Sequence, residues 1–218
     1  VTGPMAISHL VMLYANSSKQ ESRAHLQQLL SSHQLPMPDG ETNHMSVNIG
    51  LFRLRWELHT EFASWTFMRA CNEKMLEPNA RPQTAIEAVP QDWLEKLPGD
   101  SLSKIHLWLL PAKGFAHDNV VEEVLHEDSL VASTLADGHG EVYTDFQIHS
   151  DGFSRMLLLA GSITARRQGR LVQQLLEIET YRMAALLGLP AARSAGSVLL
   201  DAEKELAELA HAIQTASA

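Results

Sequence analysis

Residues 54–62 read LRWELHTEF. In and just before this stretch, Phe52, Leu54, Trp56 and Leu58 fall on one side of an extended chain. Arg53, Arg55, Glu57 and His59 fall on the other. That period of two is a strand signal, with one face buried and one face wet. FASWTFM (62–68) follows at once as a second strand, so residues 59–61 are expected at a hairpin tip. The alternation is read as starting at Met45.

Working outward, SHLVMLYA (8–15) has the apolar core of a strand. Ser18 and Glu21 then stand at capping-box spacing, and Leu26, Leu29 and Leu30 give the helix behind them one apolar face. PMPDGETN (36–43) is loop. Residues 71–100 hold Pro78, Pro82, Pro90 and Pro98 and show little periodicity outside QDWLEKL (91–97), read as a short helix. The opening pattern then returns, because HLWLLPA (106–112) resembles HLVMLYA (9–15). VVEEVLHE (120–127) reads as helix, LVASTLA (130–136) as strand and DGHG (137–140) as turn. EVYTDFQIH (141–149) reads as an alternating strand, and Ser150-Asp151-Gly152 as a turn into the strand FSRMLLLA (153–160). LHTEF (58–62) also matches IHSDGF (148–153) with one inserted Gly152. The expected fold class is α+β: a largely antiparallel sheet from a duplicated β-α-β-β unit, with repeats at 6–69 and 104–160 inside a domain 1–161. Helices are expected on one face of it. The two halves should superpose, with 8–15 on 105–112 and 54–68 on 144–160.

The C-terminal part, 162–218, reads as a helical hairpin or arm. Thr164 can cap a helix to about Leu187, and Gly188 and Pro190 are expected to stop it. A last helix over about 198–215 puts Leu199, Glu203, Leu206, Leu209 and Ile213 near one face. Such a face suits a coiled-coil contact, so a homo-oligomer through the arm is expected.

The 218 residues are 45% apolar and 20% charged, as in an ordinary globular protein. A net charge of -9 without a long Lys/Arg run argues against nucleic acid. The single Cys71 excludes an internal disulfide and fits a reducing compartment. The longest apolar runs, MLLLAG (156–161) and MAALLGLPAA (183–192), fall short of the roughly 20 residues that cross a bilayer. The chain reaches a strand by Ala6 and ends in ELAELAHAIQTASA without a stop signal, which reads as a fragment cut at both ends.

Candidate sites are few. His59/Glu61 and His149/Asp151 pair imidazole with carboxylate at i, i+2, the donor types for zinc, manganese or acid–base work. If the repeat brought the tips together, four ligands would be complete. The plainer reading is polar hairpin tips, and no bound metal is expected there. Arg53, Arg55, Arg155 and Arg166 are the strongest of several arginines that could hold an anion near strand ends and the helix start at Thr164. Against that stands salt bridging in a chain rich in acids. Glu177 and Glu179 lie on different helix faces, which argues against a dinuclear carboxylate site. No nucleophile elbow, Walker loop or dinucleotide glycine pattern is present. No cofactor or catalytic residue is assigned.

RWELHTEF (55–62), AIEAVPQDWLEKLPG (85–99), EVYTDFQIHSDGFSRMLLL (141–159) and GRLVQQLLEIETYRMAALLGLP (169–190) together resemble one bacterial family, the uncharacterised membrane-anchored proteins with domain of unknown function 3422. The match covers nearly the whole chain in order. The resemblance implies further chain at both ends, with a hydrophobic C-terminal anchor after the arm, and transfers no catalytic residue. It implies a location at the cell membrane; the favoured reading is a soluble domain on the cytoplasmic side with an assembly, sensing or regulatory role. The alternative is the cytosolic domain of a CorA-like divalent-cation transporter, by architecture alone. The third reading is an enzyme using the His/acid tips.

Overall fold

The computed structural model describes residues 4–14, 18–71, 83–112, 117–135 and 137–216. The loop reading of 72–82 and the strand ends at Ala15 and Ala136 lie outside these residues. Two compact units divide the chain, Val1–Thr180 and Tyr181–Ala218.

The first unit runs β1 (Met5–Leu13), α1 (Lys19–Ser32), β2 (His44–Ile49), β3 (Phe52–Leu58), β4 (Phe62–Ala70), α2 (Gln91–Leu94), β5 (Asp100–Pro111), α3 (His117–Val124), β6 (Val131–Leu135), β7 (Gly140–Thr144) and β8 (Ser154–Ala160). The strands form one eight-stranded sheet in the order β2-β3-β4-β1-β5-β8-β7-β6. All neighbours are antiparallel except β5 and β8. The fold is α+β, as the alternating strands imply.

Each element follows from a local cause. The capping box starts α1: Ser18 N–H donates to Glu21 Oε2 at 2.6 Å and Glu21 N–H to Ser18 Oγ at 3.2 Å. β1 and β5 sit at the centre and are buried on both faces, which is why their apolar runs do not alternate. β3 does alternate, with Phe52, Leu54, Trp56 and Leu58 inward. The period-two run from Met45 is two strands, not one. Gly50, at φ 56, and Leu51 turn β2 back against β3. Gly50 is the signal, since that left-handed conformation suits a residue without Cβ.

Helices cover both faces rather than one. Leu26, Leu29 and Leu30 of α1, Trp93 of α2, and Val121 and Val124 of α3 pack with Trp56, Trp65, Phe67 and Trp108. On the opposite face Val172, Leu175 and Leu176 pack on Ile7, Ile105, Leu107, Met156 and Leu158. Burying one such Leu contributes roughly 1.5–3 kcal/mol. A sheet whose central strands are apolar on both sides leaves no face to expose.

The halves share strand order but not strand direction. Outward from the centre they read β1-β4-β3-β2 and β5-β8-β7-β6. However, β4 is antiparallel to β1, whereas β8 is parallel to β5. Overlaying the outer strands reverses the central ones, so the expected superposition of the whole halves does not hold. The connections explain the difference. β2 starts at the same end of the strands where β1 finishes, whereas β6 starts at the end opposite to where β5 finishes.

The last element is α4, Ala165–Ala216, a single helix with Pro190 inside it. The expected hairpin, with a stop at Gly188/Pro190, is replaced by continuous helix. Proline removes one backbone hydrogen bond and costs about 3 kcal/mol in a helix interior. The Ala- and Leu-rich sequence on both sides favours helix strongly enough to continue through it. Residues 165–180 belong to the first unit, and the rest form the second.

Candidate functional site

The strand predicted over 141–149 ends at Thr144, and residues 145–153 form the connection to β8. Local polar bonds break the strand. Asp145 Oδ1 accepts from Gln147 N–H at 3.0 Å, and Thr144 Oγ1 accepts from Phe146 N–H at 3.3 Å. Such side-chain bonds compete with a ladder. Phe146 is driven to φ 53, a left-handed conformation that costs a bulky residue about 1–2 kcal/mol. The loop closes on itself through His149 N–H to Phe153 O at 2.9 Å and Gly152 N–H to His149 O at 2.8 Å. Gly152 takes φ 79 there.

This loop, with the segment after α3, gathers a compact polar cluster. Asp145 is 1% exposed. Its Oδ2 accepts from His149 Nε2 at 2.8 Å and from the backbone N–H of His126 at 2.9 Å. The rings of His126 and His149 stack at 4.6 Å, nearly parallel. Burial pushes the Asp145 carboxyl up, but the hydrogen bonds from His126, Gln147 and His149 outweigh it and hold the group below its usual range. Asp145 is therefore an ionised, buried acceptor at neutral pH. One ligand atom from each of His126, Asp145 and His149 lies within 4.8 Å of the others.

A second set lies beside it. His106 on β5 stacks on Phe153 at 3.9 Å and meets Ser8 Oγ at 2.9 Å. Its Nε2 stands 4.0 Å from Asp151 Oδ2. Burial depresses the imidazole to about 3, helped by Arg155 and His149 and opposed by Asp151. Asp151 is bonded at 3.0 Å by Arg155, whose other nitrogen donates to Val124 O at 3.1 Å. Burial raises the Asp151 carboxyl, and the Phe153 N–H and Arg155 more than offset it, holding it low.

The predicted residues thus separate. His59 and Glu61 are exposed at the β3–β4 turn, with His59 stacked on Phe62 at 4.2 Å. Three strand spacings, about 14 Å, divide β4 from β8, so the two tips cannot share one metal. His149 and Asp151 are near each other but bond to different partners. The arginines do not converge either. Arg53 donates to Ser46 at 2.9 Å, Arg55 pairs with Glu57 at 2.7 Å, Arg155 holds Asp151, and Arg166 is exposed near the start of α4. Sequence reasoning missed Asp145, His126 and His106. Asp145 sat inside an apparent strand, and the other two are brought in by tertiary folding. Burial pushes the Cys71 thiol up to about 12, which disfavours its thiolate.

A buried carboxylate that fixes one imidazole beside another can orient a proton or hold a cation. The family model "Protein of unknown function (DUF3422)" matches residues 1–218. The chain belongs to this family. No curated protein and no solved structure matches it.

Proposed function

We propose that this DUF3422 chain is the α+β domain of a membrane-anchored bacterial protein, on the cytoplasmic side. Its role is assembly or sensing rather than catalysis, and its copies associate through the second unit. The observation that carries this reading is the row of exposed apolar residues on α4. Leu199, Leu206 and Ile213 recur every seven residues, with Leu209 between the last two, and each is more than 60% exposed. This is the a/d spacing of a coiled-coil seam. Burial of such a seam favours a second helix over water. The helix is also long and apolar enough, by length and composition alone, to cross a membrane, with a window of mean hydropathy 1.4. The two are alternative ways to cover α4, by a second helix or by lipid, and either fits a chain at a bilayer.

Sedimentation of the chain tests the assembly. Wild type is expected as an oligomer and Leu206→Asp as a monomer whose first unit stays folded. A monomeric wild type, or an oligomer indifferent to Leu206→Asp, overturns the reading. Fractionation of cells expressing the parent protein tests the location, with recovery in the membrane pellet expected.

A further inference from the structure

We propose that His126, Asp145 and His149 bind one divalent transition-metal ion, of which Zn²⁺ is the best-suited example. The site does not depend on the assembly reading.

Three observations carry it. The three side chains come from two separate segments, the end of the α3 connection and the β7–β8 loop, and their ligand atoms lie within 4.8 Å of one another. Two imidazoles and one carboxylate form a donor set for zinc and its neighbours, not for the all-oxygen cages that calcium and magnesium prefer. Asp145 is also held as a ligand should be. It is buried, ionised, and oriented by the backbone N–H groups of His126 and Gln147. The loop that carries it keeps Phe146 in a left-handed conformation. Strain of that kind persists where surrounding bonds over-determine it, and it clusters at functional sites.

The required adjustment is small. In a tetrahedral site with bonds of about 2.0–2.1 Å, donor atoms lie roughly 3.4 Å apart. The widest separation must therefore shorten by no more than about 1.4 Å. His126 is exposed and can supply that movement by rotating its side chain. His149 Nε2 now bonds Asp145 Oδ2. On binding, Nε2 would coordinate through its lone pair and the ring would carry its proton on Nδ1. With three protein ligands and an exposed rim at His126, one coordination position stays open to water or to a small anionic ligand.

The test is titration of the chelator-treated chain with Zn²⁺ and with Co²⁺. Calorimetry reads stoichiometry, thermal melting reads stabilisation, and visible absorption reads Co²⁺ geometry. The expected result is one ion per chain, a melting temperature raised by about 3–5 °C at saturating metal, and Co²⁺ bands of a four-coordinate site. His126→Ala is the deciding variant, because His126 is exposed and its loss leaves the buried Asp145–His149 pair in place. Its affinity should fall at least about tenfold. His59→Ala, at the distant tip, should bind as wild type does. No stoichiometric binding, or binding equally tight in His126→Ala, overturns the proposal. So does a loss of binding in His59→Ala with none in His126→Ala.

Discussion

At the residue scale, buried histidines set the response to acid. His9 is 7% exposed and meets Thr66 Oγ1 at 2.8 Å. Burial first, then the charges of Arg55 and His59, lower it to about 4. His106 is lowered to about 3, again chiefly by burial. Both folded values lie below the ordinary 6.5 of the unfolded chain. The unfolded state therefore binds more protons between these limits. Stability is full above about pH 6.5 and falls as the pH drops towards 4 and then 3. Each histidine removes up to about 1.4 kcal/mol per pH unit within its window. Urea unfolding at pH 7, 6 and 5 should show this loss before ordinary carboxylates titrate. His9→Gln should flatten the slope by about one proton. A flat profile from pH 7 to 5 would contradict the account. The sequence displays these histidines but not their burial. His106 pairs with Ser8, and His9 with Ile105, only because two distant apolar runs come together as β1 and β5. The cluster at Asp145 was hidden for a related reason. TDFQIH has strand alternation, and only the side-chain bonds of Thr144 and Asp145 turn it into a loop.

At the element scale, the two parts of α4 make opposite predictions. Leu175 is buried against Ile105, Leu107, Met156 and Leu158. Leu175→Ala should cost about 2–5 kcal/mol, and Leu175→Asp no less, because it buries an unpaired charge. Denaturant unfolding should register that loss directly. A midpoint unchanged in Leu175→Asp would mean that residues 165–180 do not hold the sheet. Leu206, by contrast, is 68% exposed within the chain, so its substitution should leave the stability of the single chain alone and act through association. The apolar stripes of both parts were legible in the sequence, since spacing alone reveals them. Continuity past Pro190 was not, because a local stop signal and a favourable flanking composition compete, and here composition prevails. The capping box at Ser18 and the β3–β4 hairpin were legible because their causes lie within a few residues. The parallel pairing of β5 with β8 was not, because it depends on the end of the sheet at which β6 starts.

At the scale of the whole molecule, membership of the DUF3422 family covers the full chain, and an apolar cluster packs on each face of the sheet's central strands within the first unit. The second unit exposes the apolar row that includes Leu199, Leu206 and Leu209, and assembly is the claim that rests on it. Cysteine cross-linking tests it most directly. In a Cys71→Ser background, cysteine is placed at Leu206, on the seam, or at Lys204, which falls on the outer face by the same seven-residue count. Under mild oxidation Leu206→Cys should yield covalent dimers in high proportion, and Lys204→Cys should yield few. Equal cross-linking at the two positions, or none at Leu206→Cys, would contradict the account.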